Sequence, residues 1–83
     1  MQTGPLISVD VRAVRPGKRN SDIEAVQAAL VSVAGLTGFS AGAFDAPTQR
    51  AYARWQRQIG YVHPDCTGEP NQSSLAILGL RSG

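Results

Sequence analysis

The stretch YVHPDCTGEP, residues 61–70, brings His63, Asp65 and Cys66 close together along the chain. An imidazole beside a thiol is the pairing of a nucleophilic centre, and a nearby carboxylate makes it a partial metal set. The rest of the chain does not complete either one. His63 is the sole histidine, so a His-x-x-x-His metal pair is impossible. Adjacency along a loop is not a catalytic geometry, and no third orienting group is evident beside the pair. Cys66 is the sole cysteine, so no internal disulfide can form, and it reads as a small buried or half-buried thiol. Asp10, Asp22, Glu24, Asp45, Asp65 and Glu69 fall at helix starts and in turns. Capping and the helix dipole account for Asp22, Glu24 and Asp45 better than a carboxylate pair for glycoside hydrolysis does. The expectation is a chain that is not an enzyme and carries no metal or cofactor.

Three other groups have the chemistry to bind. Arg50, Arg54 and Arg57 recur at helical spacing along GAFDAPTQRAYARWQRQ. They form either a solvated face opposite a core or a contact for an anionic partner. Tyr52 and Trp55 could stack on a sugar ring, but both lie on the apolar side of the same segment and read first as core, with Tyr52 nearer its edge. Gln27 and Gln56 flank apolar faces and are expected to satisfy loop backbone groups where turns meet the helices.

These residues need three helices to position them. SDIEAVQAALVSVAG opens with Ser21 and Glu24 in a capping-box pattern and predicts a helix over 22–34. Ile23, Val26, Ala29, Leu30, Val33 and Ala34 fall on its inner face, Glu24, Ala28 and Ser32 on its outer one, and Gly35 stops it. A second helix starts near Ala46 or Pro47 behind an Asp45 N-cap and ends at Gly60. Thr48, Ala51, Tyr52, Trp55 and Ile59 form its inward stripe, and the arginines point away from it. A short third helix, SSLAIL, follows Asn71 and stops at Gly79. Before these, PLISVDVRAV alternates loosely, with Ile7, Val9 and Val11 on one side, and predicts an extended arm. VRPGKRN is a turn, and LRSG a frayed tail. One pattern occurs twice: GAFDAPT (42–48) and GEPNQSS (68–74) share Gly-x-x-(Asp/Asn)-x-x-(Thr/Ser), each directly before a helix. The second and third helices should therefore be entered by similar turns.

The expected architecture is all-α: a compact three-helix bundle over 14–79, with an extended N-terminal arm, 1–13, and a tail, 80–83. With 83 residues, 42% hydrophobic and 17% charged, the chain has the composition of one small globular domain. Its net charge of +2 suits an anionic surface without the dense cluster of a nucleic-acid domain, and no nucleic acid is expected as partner. No apolar run is long enough to span a membrane, so no membrane is expected either. The first residues lack the charged start and apolar run of a signal peptide.

VRPGKRNSDIEAVQAAL, GAFDAPTQRAYARWQRQIGY and TGEPNQSSLAILG, in that order and spacing, resemble the peptidoglycan-binding domain found beside the catalytic domains of bacterial and phage cell-wall hydrolases. The wording AYARWQ and GEPNQSSLAILG is similar to the version attached to actinobacterial and actinophage lysins (endolysins). In that family a Gly-turn precedes a helix with an apolar-Gln pair, matched by Gly17 and Val26-Gln27. The second block is matched by Gly42, Phe44, Thr48, Ala51-Tyr52 and Trp55-Gln56, and the third by Thr67, Gly68, Pro70, Ser74 and Leu75. The chain departs from the family at Asp45 and Asn71, where glycine is usual, and at Thr67, where aspartate is usual. The resemblance implies non-catalytic, carbohydrate-type binding of peptidoglycan, through its glycan or its stem peptide. It also implies an attached or partner hydrolase or phage protein, and a cell-wall or extracellular setting reached through that parent. It assigns structural roles to Gly17, Gln27, Gly42, Phe44, Thr48, Trp55, Gln56, Gly68, Ser74 and Leu75. Ser40, Ala41, Asp45, Tyr52, Tyr61, Asp65 and Asn71, around the helix entries, are the candidate ligand contacts. The alternative is a protein–protein interaction or phage structural module that kept the fold without sugar binding.

Overall fold

A computed structural model describes residues 8–79 and 81–82. The described elements run β1 (Ser8–Val9), α1 (Ser21–Ala34), α2 (Ala46–Gln58), α3 (Gln72–Leu78) and β2 (Arg81–Ser82). The fold is all-α, as expected, with three helices among the described residues.

Each helix begins at a side-chain cap. Asp45 and Asn71 are extended residues whose side chains accept from the amides of Thr48 and Ser74, as the sequence predicts. The start of α1 differs. Its N-cap is Asn20, whose Oδ1 accepts from the Ile23 amide, and Ser21 is already helical. Asn20 prevails because its amide group also donates to the Ala13 carbonyl, 2.9 Å away, which ties the helix start to the preceding turn. Gly35 and Gly79 close α1 and α3 in the left-handed region, where a Cβ would be strained.

The core is the meeting of α1 and α2. Ile23, Val26 and Leu30 from α1 pack with Ala51, Tyr52 and Trp55 from α2, and Leu36, Phe44 and Leu75 close the ends. Burying the Val, Ile, Leu and Phe side chains among these contributes about 1.5–3 kcal/mol each. Val33, expected on the inner stripe, is instead 39% exposed. Gln27 is buried on the other flank of that helix, where it bonds the 40–44 loop.

The two ends of the domain also differ from expectation. Val9 and Val14 are buried members of the core, so the packed body reaches beyond residue 14 into the arm. Among the described residues of the arm the extended geometry is confined to β1, and Val11 to Ala13 form a turn closed by Ala13 N to Asp10 O, 2.8 Å. Arg81–Ser82, in the segment read as a frayed tail, pair in parallel with Ser8–Val9. Asp22, read as a dipole partner, also fastens the arm: its carboxylate accepts from the Asp10 amide at 3.1 Å. Residues 1–7, Leu80 and Gly83, including Ile7, lie outside the described residues.

Candidate functional site

The repeated turn is built the same way twice. A buried glutamine on the preceding helix reaches across and holds the turn's glycine by its amide. Gly42 N donates to Gln27 Oε1 at 2.9 Å, and Gly68 N donates to Gln56 Oε1 at 2.8 Å. Each glutamine then donates back to loop carbonyls. Gln27 Nε2 reaches Ser40 O at 3.0 Å and Ala43 O at 2.8 Å, and Gln56 Nε2 reaches Glu69 O at 3.0 Å. An amide side chain can do this because it carries a donor and an acceptor on one fork. Gln27 also donates to Thr48 Oγ1, 3.0 Å away, which ties the first turn to the helix it launches.

Both glycines are left-handed, and Gly68 is also pressed against backbone. A Cβ there would sit 2.5 Å from the Gln49 carbonyl oxygen. The Asp and Asn that follow are in the extended region and act as caps, not as left-handed turn residues. Asp45 has both oxygens occupied: Oδ1 accepts from Thr48 N and Oγ1, and Oδ2 accepts from Ser40 N. The Thr48 hydroxyl first, and the backbone amides of Ser40 and Thr48 after it, hold the Asp45 carboxyl below its usual value. In the second turn Asn71 and Ser74 close a reciprocal capping box, and Thr67 Oγ1 accepts from the Glu69 amide at 3.1 Å. At position 67 the threonine hydroxyl itself therefore secures the turn.

The two turns share neighbours. Gly17 N donates to Phe44 O in the first, while the Arg15 guanidinium pairs with Glu69 in the second. Gln49, on the first turn of α2, donates to Thr67 O. Segment 15–18 and the start of α2 thus touch both.

Of the candidate contacts, Ser40 and Ala41 are exposed on the first turn and Asp65 and Asn71 on the second. Tyr61 is half-buried and its hydroxyl donates to Asn71 Oδ1, 3.1 Å away. Tyr52 does not join them. It is fully buried, with its hydroxyl 2.7 Å from Ser74 Oγ, and offers no surface to a ligand. Removal from water pushes its phenol up to about 12. Trp55 is likewise core, and its indole Nε1 is buried without a hydrogen-bond partner among the described residues. His63 is exposed and Cys66 half-buried. Among the described residues no three His, Cys, Asp or Glu side chains gather as a metal ion would require.

Compared with protein-family models, curated proteins and solved structures, the chain matches none of them.

Sequence reasoning missed two features here. One is the Arg15–Glu69 bridge, whose partners lie 54 residues apart. The other is the bond from Arg54 Nη2 to Ala34 O, 3.0 Å, which joins the arginine stripe to the last turn of α1. Neither pairing leaves a local sequence signal.

Proposed function

We propose that the domain attaches, without catalysis, to bacterial peptidoglycan and holds an attached or partner hydrolase or phage protein on the wall. The observation that carries this reading is the pair of glutamine-latched turns. Gln27 on α1 and Gln56 on α2 each hold one of two like loops, so that Ser40 and Ala41 on one and Asp65 and Asn71 on the other are displayed on a fixed backbone. A display of exposed loop side chains on a hydrogen-bonded backbone suits a muropeptide, which offers hydroxyls, amides and carboxylates in alternation. The three sequence blocks that resemble the wall-binding family include both latches. A single module of this kind binds weakly, roughly micromolar to millimolar, and acts by raising the local concentration of its parent at the wall.

A second reading, a protein–protein or phage structural module, draws on Val62 and Ile77. These large apolar side chains are 68% and 56% exposed, Val62 on the loop that precedes the second turn and Ile77 on α3. Co-sedimentation with purified sacculi separates the two. Retention that persists after accessory polymers are stripped supports wall attachment. Loss of the protein to the supernatant, with retention only by a protein partner, supports the second reading.

A further inference from the structure

The face of α2 turned away from the core carries Arg50, Arg54 and Arg57, all exposed. The helix has no acidic residue. Outside α2 the chain holds five basic and six acidic residues, so its excess of positive charge resides on this one helix. The ion pairs among the described residues, Arg12–Asp10 and Arg15–Glu69, leave the stripe untouched. Arg54 is held in place by its bond to Ala34 O.

We propose that this stripe is a second binding face, for a linear phosphodiester polymer running beside the peptidoglycan. Three features favour that occupant. The cations are all guanidinium, whose planar fork pairs bidentately with phosphate. They span about 10 Å along the axis at ~1.5 Å per residue, and a polymer with six backbone bonds per repeat extends to about 7 Å per phosphate, so two or three phosphates meet three arginines in single file. At ~100° per residue the three lie within an arc of roughly 60°, too narrow to reach both walls of a duplex groove about 12 Å wide. This face is separate from the latched turns. It extends the wall-binding reading, and rests on it only for the setting in which the polymer is met.

The test uses the full chain with a soluble glycerol-phosphate polymer, duplex DNA at equal phosphate, and stripped sacculi. Arg54 is left in place because it also caps α1; the variants are Arg50→Glu/Arg57→Glu and the milder Arg50→Gln/Arg57→Gln. The wild type is expected to bind the polymer more tightly than DNA, with log K falling against log salt at a slope of about −2, as roughly 0.7 per phosphate predicts for three contacts. Both variants are expected to bind the polymer about tenfold or more weakly, to unfold at the wild-type temperature, and to retain wild-type sedimentation with stripped sacculi. No binding of the polymer by the wild type, equal binding by the variants, or tighter binding of DNA overturns the proposal. So does loss of stripped-sacculus binding in the variants, which would merge the stripe with the peptidoglycan site. Failure of the wild type on stripped sacculi with the polymer still bound would count against the peptidoglycan reading alone.

Discussion

Gln27 and Gln56 make the same connection but carry different loads. Gln56 serves two backbone groups, Gly68 N and Glu69 O. Gln27 serves Gly42 N, two carbonyls and the Thr48 hydroxyl. Removing either side chain strands buried polar groups, at about 1–3 kcal/mol for each one left unpaired. Gln56→Ala strands one fully buried group, Gly68 N, and is therefore expected to cost about 1–3 kcal/mol, and Gln27→Ala, which strands several, more, read as a lower urea midpoint at unchanged m. Equal losses would mean that the extra bonds of Gln27 are not all made. Tyr52 gives a pH signature. Its folded pKa, about 12, lies above the ordinary 10.0, so burial favours the neutral phenol. The stability this contributes is complete below about pH 10 and is lost as pH rises through about 12. Unfolding free energy followed across that window should fall for the wild type and fall less steeply for Tyr52→Phe.

At the level of elements, the start of α1 is decided by one residue. Replacing an N-cap Asn by Ala costs about 0.5–2 kcal/mol, whereas a surface substitution away from a cap stays within about 0.5 kcal/mol. Asn20→Ala should therefore destabilise the domain by roughly 1 kcal/mol or more and Ser21→Ala hardly at all, measured by thermal unfolding. The reverse order would restore the Ser21–Glu24 box. Two helix starts were legible because a single capping side chain stands beside a proline: Asp45 two residues before Pro47, and Asn71 directly after Pro70. The third was not, because Asn20 and Ser21 are both good caps and the tie is broken by the distant Ala13 carbonyl. The stripe of α2 read correctly, since its apolar and charged residues separate cleanly. The stripe of α1 misled at Val33, which the helical period places on the apolar side but which is 39% exposed, whereas Gln27 meets loop backbone groups as its position beside that face suggests.

At the scale of the whole molecule, long-range closures bind the parts that local sequence leaves loose. Ser8–Val9 pair with Arg81–Ser82 from the opposite end of the chain, and Arg15 pairs with Glu69 across the gap between segment 15–18 and the second turn. Neither carries a motif, so the extent of the packed body could not be read in advance. The latched turns could be, because Gly-x-x-(Asp/Asn)-x-x-(Thr/Ser) and its glutamine partner recur in order. Within the candidate site, Ser40, Ala41, Asp65 and Asn71 are exposed on their loops, while Tyr52 belongs to the core. Wall attachment through these turns is tested most directly by titrating isotope-labelled protein with soluble muropeptides and following the backbone amides. Saturable shifts should cluster at residues 40–45 and 61–71, with Ala28 and Ser32 on the outer face of α1 unmoved. Amides in both turn segments that stay fixed up to millimolar ligand would contradict it.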